Sequence, residues 1–203
     1  MRRFIASILG ALSVGLLTLP AAAQAPPGPV HGAVQSLDGN RLTVAQASGP
    51  TVVMMDGDWK VTVLKKIDVG AIQPGSFIGT TNVDNPDGTG QSTEVHVFPP
   101  GVRGGEGHYP MPGQKAMMTN GDVTAVVTGA KGQELDIKYN GQGGAGVRHV
   151  VVPPGTPVVL FTSGDRAIIK PGAQVMLFAG PGPDGALHAT GVLTGENGAA
   201  PPF

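Results

Sequence analysis

The chain has 203 residues, 13 Lys+Arg against 14 Asp+Glu, and no cysteine. This balance and an aromatic content of 4% supply neither the basic groove nor the stacking platform that nucleic-acid binding needs, and without cysteine there is no disulfide or thiolate metal ligand. The 33 Gly and 19 Pro interrupt the chain too often for long helices, so the expected class is all-β.

At the start, Arg2 and Arg3 precede the apolar stretch Phe4 to Leu19 and the small-residue segment Pro20-Ala21-Ala22-Ala23. This pattern predicts a signal helix over residues 1–23, cleaved before Gln24, with a short mature tail over 24–30. The expected product is soluble, periplasmic or secreted, and not a lipoprotein, because no cysteine is available for a lipid. Losing Arg2 and Arg3 takes 13 basic residues to 11 against 14 acids, a mature charge of about −3. Later apolar runs are strand-length and fall short of the roughly 20 residues of a spanning helix.

Strands are then expected at His31 to Leu37, Arg41 to Gln46, Thr51 to Met55 and Trp59 to Leu64, with turns at Asp38-Gly39-Asn40 and Asp56-Gly57-Asp58. Trp59, Val61 and Val63 alternate with Lys60 and Thr62, so the apolar set faces inward. Asp68 caps a short helical turn, Val69 to Ile72, ahead of strands Ser76 to Val83 and Gln91 to Phe98. A second series follows: Gly121 to Thr128, Glu134 to Tyr139, Val147 to Val152, Pro157 to Phe161, a turn at Asp165 to Ile169, Gln174 to Ala179, and Leu187 to Thr194.

The second series repeats the first. Ile72-Gln73-Pro74-Gly75 and Pro86-Asp87-Gly88 return 97 residues later as Ile169-Lys170-Pro171-Gly172 and Pro183-Asp184-Gly185. Strands on either side of one short helical turn, given twice, predict two tandem OB-like five-stranded barrels, with an SH3-like barrel as the competing closure. Their expected bounds are 31–98 and 119–195, joined by a Gly/Pro/Met-rich linker over 99–118 and followed by a tail over 196–203.

Gly32-Ala33-Val34, Ile72 to Gly75, Pro86 to Gly88, Glu94 to Pro99, Gly105-Glu106-Gly107-His108 and Val151 to Pro157 give the chain its family resemblance. It resembles exported Gram-negative bacterial proteins of unknown function that carry paired OB-like domains. The resemblance implies the fold and brings no activity with it. Such proteins sometimes carry a metal-transporter label, which disagrees with the lack of long apolar runs after the first segment.

Several chemical motifs resolve into turns. Gly141 to Gly146 fits GxGxxG, yet a strand follows it where a dinucleotide site needs a helix. Asn85, Asp87, Gly88 and Glu94 fit part of a calcium loop whose first position is Val83, and Asp56 and Asp58 face Pro153 and Gly155 in the other copy. No nucleophile elbow, Walker loop or His-Glu-x-x-His is present, so no catalytic residue is assigned and a hydrolase is the least supported class.

His31, His96, His149 and His188 have no histidine opposite them in the other copy and read as scattered surface or structural residues. His108 lies in the linker with Glu106, Met111, Met117 and Met118, a donor set suited to copper. A second soft-metal set, Met54, Met55 and Trp59, has adjacent methionines that point to opposite faces of a strand. The leading functional expectation is a non-enzymatic binding or scaffold protein for an envelope protein, glycan or small ligand. Tyr109, Trp59 and Phe98 are its available aromatic anchors, no cofactor is required, and copper binding through the linker is the alternative.

Overall fold

The computed structural model describes residues 29–111 and 114–201, so the expected signal helix over 1–23 and most of the 24–30 tail lie outside the described residues. Among the described residues the molecule is all-β, as composition predicts, and no helix is long and apolar enough to cross a membrane. In chain order the strands are β1 (Val30–Asp38), β2 (Arg41–Gln46), β3 (Gly49–Lys66), β4 (Phe77–Asp84), β5 (Gly90–Val97), β6 (Gly107–Pro110) and β7 (Met117–Gly129). They continue as β8 (Gly132–Gly141), β9 (Gly144–Val152), β10 (Val158–Gly164), β11 (Gln174–Leu177), β12 (Gly180–Pro181) and β13 (Leu187–Gly195), and all belong to one sheet.

Hydrogen bonding closes that sheet on itself twice. One ring runs β1-β2-β3-β13-β11 and returns to β1. The other runs β7-β8-β9-β5-β4 and returns to β7. Each ring takes three strands from one repeat copy and two from the other, so the segments 31–98 and 119–195 interlock rather than closing separately. The cause is the length of β3, which runs on past Met55 through Asp56-Gly57-Asp58, the tripeptide expected as a turn. Opposite β13, Met55 pairs with Ala189 and Lys60 with Gly191, so residues 56–59 form a bulge that keeps the strand going.

The far end of β3 crosses β10 antiparallel, with Leu64 opposite Phe161. These residues are 97 apart in sequence, so the crossing marks a local two-fold that exchanges the copies. Beyond it, the Asp68 carboxylate accepts from Gly70 N across a 3-10 turn, as Asp165 does from Ala167 N in the second copy. Each turn sets an isoleucine into the ring completed by the other copy. Ile72 is buried with Ile78, Val95, Leu135 and Ile137, and Ile169 with Leu42, Val44, Trp59 and Val175. Trp59, Val61 and Val63 point into the first core, as their alternation predicts.

The linker over 99–118 is more ordered than its sequence suggests. Strand β6 pairs with the start of β7, and on its other side His108 N donates to Gln142 O at 2.8 Å. A side chain on Gly107 would strike that backbone, with its Cβ 2.2 Å from Gln142 O, so glycine permits the approach.

Because the rings share strands from both copies, they are expected to unfold as one cooperative unit. Leu135 lies in the second core and is fully buried, and Leu135→Ala is expected to cost about 2–5 kcal/mol. The single Trp, Trp59, reports on the first core. Its fluorescence transition in urea should move with the Leu135→Ala variant, and an unmoved Trp59 midpoint would show that the rings unfold independently.

Candidate functional site

Exchanging the copies about the two-fold exposes where they differ. Phe77, His96, Phe98 and Phe161 occupy the positions of Gln174, Leu193, Gly195 and Leu64. The His96 ring stacks on Phe161 with centroids 4.9 Å apart and planes 4° from parallel. Phe98 meets Phe161 edge-on at 5.3 Å and Phe77 at 5.2 Å. The Arg103 guanidinium lies 4.2 Å over the Phe77 ring, fixed there by two hydrogen bonds to Asp122 at 2.7 and 2.8 Å and one to Glu106 at 3.3 Å. These bonds hold the Asp122 carboxyl below its ordinary range. Phe77, Phe98 and Arg103 of this cluster line an open groove of about 460 Å³ whose rim includes Pro74, Pro99, Pro100, Val102 and Leu160.

Behind the groove, Glu94 and His96 form a buried pair, with Glu94 Oε2 3.2 Å from His96 Nδ1. Burial pushes the Glu94 carboxyl up, but the hydrogen bond and charge of His96, together with bonds from Thr81 N at 2.9 Å and Thr81 Oγ1 at 2.7 Å, hold it below its ordinary value. The His96 ring lies across Gly79. A methyl there would fall 1.9 Å from His96 Nε2 and 2.2 Å from the Asn120 side-chain oxygen.

The second ring also has a polar interior end. Thr80, Asn82, Ser92 and Thr119 are buried at the positions of Leu177, Ala179, Ala189 and Val30 in the first ring. Thr80 Oγ1 lies 2.8 Å from Ser92 Oγ, and Asn82 Nδ2 donates to Thr119 Oγ1 at 3.0 Å. Arg148 closes this end by donating to Asn82 Oδ1, to Gly88 O and to Asp84.

The linker donors are divided by strand geometry. His108 Nδ1 is 2.9 Å from Thr119 Oγ1, which sets His108 with Met117 on one face of the β6–β7 pair, and alternation puts Met118 and Tyr109 on the other. Met111 Sδ lies 3.3 Å from Thr81 Oγ1, whose single proton goes to Glu94, and Glu106 accepts from Arg103 and from Asn140 N. Burial and the Arg148 charge hold the His108 imidazole below its ordinary value, against the opposing pull of Asp84. Among the described residues no three His, Asp or Glu side chains converge as a metal site. Of the second methionine set, Met55 and Trp59 are buried in the first core and Met54 is on the opposite face.

Other histidines are engaged locally. His188 bridges Asp56 at 2.7 Å and Asp184 at 2.9 Å, which raises its pKa, and His149 bonds Asp136 at 2.7 Å. The Gly141 to Gly146 run is the β8–β9 hairpin, with Gly141 opposite Gly144.

Of the expected anchors, Phe98 lines the groove, Trp59 is in the first core, and Tyr109 lies in β6 with its hydroxyl on Asn120. Sequence reasoning missed Phe77, Phe161, Arg103 and the pairing of His96 with Glu94. The available signal was that Phe77, Phe98 and Phe161, with His96, all replace non-aromatic residues in the other copy, although Phe178 does the same opposite Thr81. No protein-family model, curated protein or solved structure matches the chain.

Two expectations test this packing. Gly79→Ala should destabilise the fold by about 1–3 kcal/mol in chemical denaturation, because the His96 and Asn120 side chains must both yield to the added methyl. The depressed Glu94 pKa contributes stability that is present above the ordinary value of 4.5 and lost as pH falls through the lower folded value. Glu94→Gln should therefore flatten the acid side of the stability profile, measured as urea midpoints across that range.

Proposed function

We propose that the protein is a periplasmic or secreted, non-enzymatic binding or scaffold protein of two OB-like five-stranded barrels, which binds its partner at the aromatic groove. The one-sidedness of the groove carries this reading. The scaffold repeats about the two-fold, whereas Phe77 and Phe98, which line the groove, and His96 and Phe161, which pack against Phe98, have no aromatic counterpart in the other copy. A duplicated framework with one differentiated open groove suits recognition better than architecture alone. The five strands of each closed ring support a five-stranded barrel description, and the resemblance to exported proteins with paired OB-like domains favours that kind.

The fitting partner is an envelope protein, glycan or small ligand that offers an apolar ring or chain to Phe98 and the proline rim, with an acceptor toward Arg103. Open aromatic faces bounded by fixed rims are a common mode of such recognition. A photo-crosslinking side chain at Val102, on the rim, is expected to give adducts in intact envelopes that disappear when Phe98→Ala is added. The same side chain at Val127, an exposed control at 57% accessibility, should give none. Equal adducts at both positions, or none at Val102, would remove the groove as the binding surface.

A further inference from the structure

We infer that His188 is a proton-dependent clasp that ties the β12–β13 hairpin to the bulge of β3. Its ring bonds one carboxylate through each nitrogen. Nδ1 lies 2.7 Å from Asp56 Oδ1 in the bulge, and Nε2 lies 2.9 Å from Asp184 Oδ1 in the hairpin. Gly182 makes room for this arrangement, since a Cβ there would fall 2.2 Å from His188 Cδ2 and 2.5 Å from Nε2.

An ionised carboxylate only accepts, so each bond needs a proton on the ring side. The imidazolium carries two and satisfies both neighbours. A neutral imidazole carries one, which leaves a lone pair against the other carboxylate. Loss of one proton therefore releases either Asp56 or Asp184, and in both cases the link between bulge and hairpin is broken. The bond to Asp56, and then that to Asp184, hold the His188 pKa above its ordinary value of 6.5. The tie is present below that ordinary value and is lost as pH rises through the higher folded one.

The other elements around the ring bring no competing carboxylate. Strand β13 carries no further charge, and β12 offers Gly180 opposite His188. On β2, Arg41 lies opposite Met54, the β3 residue that stands opposite His188. Farther along β3, Asp58 is engaged by Lys60 and Arg166.

The second copy builds the same hairpin without the imidazole. Gln91, Asp87, Thr89 and Asn85 stand at the positions of His188, Asp184, Ala186 and Gly182, and Pro153 at that of Asp56. Asp87 accepts from Thr89 N and Oγ1, and Asn85 Nδ2 donates to Thr89 Oγ1. These donors keep their protons where His188 titrates, so the twin hairpin is a reference within the same molecule.

Amide exchange in the full chain tests the clasp through two equivalent turn bonds, Gly185 N to Gly182 O and Gly88 N to Asn85 O. After correction for intrinsic exchange, the protection of Gly185 relative to Gly88 is expected to fall about twofold to fivefold between pH about 6 and pH about 8.5. Nitrogen-15 shifts of His188 should show protons on both ring nitrogens at the lower pH, with a midpoint above 6.5. His188→Gln, which copies Gln91, should remove the fall in protection. If that variant does not fold, Asp184→Asn takes its place; it keeps an acceptor for Ala186 N, loses the charge and should shrink the fall. A His188 midpoint at or below 6.5, a wild-type ratio that does not fall, or an undiminished fall in the variant that folds overturns the clasp.

Discussion

Two reciprocal pairs of backbone hydrogen bonds hold the crossover on which the molecule depends. Gly75 N donates to Val123 O and Val123 N to Ser76 O, while Gly172 N donates to Val34 O and Val34 N to Ala173 O. In each case the Pro-Gly turn of one copy is bonded to the first ring strand of the other. The turn that repeats most faithfully in sequence is therefore the contact by which each copy enters its neighbour's ring. Ile72 and Ile169 follow it into the cores, so backbone pairing and apolar burial specify the same crossing.

Much of this was legible locally. Trp59, Val61 and Val63 announced their inward face through simple alternation, and Asp68 and Asp165 announced their turns by being acceptors placed just ahead of them. The partnering of the strands was not legible, because a strand closed by its own copy and one closed by the other have the same alternation. Only the continuation of β3 through Asp56-Gly57-Asp58 decides between them, and Asp-Gly reads equally well as turn or bulge. The linker misled for a related reason. Its glycines looked like freedom, yet Gly107 serves close backbone approach in an ordered strand.

The candidate site was hidden by distance along the chain. Phe77, Phe98 and Phe161 are ordinary singly, and they become one cluster only because β10 lies parallel to β5, with Val158 opposite Val95 and Leu160 opposite Val97. His96 was set among the scattered histidines because nothing in its neighbourhood reveals Phe161 stacked on it or Asn120 beside it. The chosen histidine, His108, is instead tied into the polar end of the second ring. There the copies diverge in kind: four buried apolar positions of one ring are hydroxyls and an amide in the other. Each such group needs a bonded partner, which gives that ring a directional interior where its twin has simple packing.

The interlocked rings also dictate an order of assembly. A chain that emerges from its N-terminus begins the first ring with β1, β2 and β3, but that ring cannot close until β11 and β13 arrive near residue 195. The ring started later has all its strands by Val152 and can close first around β4 and β5. The early strands wait with open edges while the later ring forms, and the closures of largest sequence separation, β11 on β1 and β13 on β3, each across more than a hundred residues, come last.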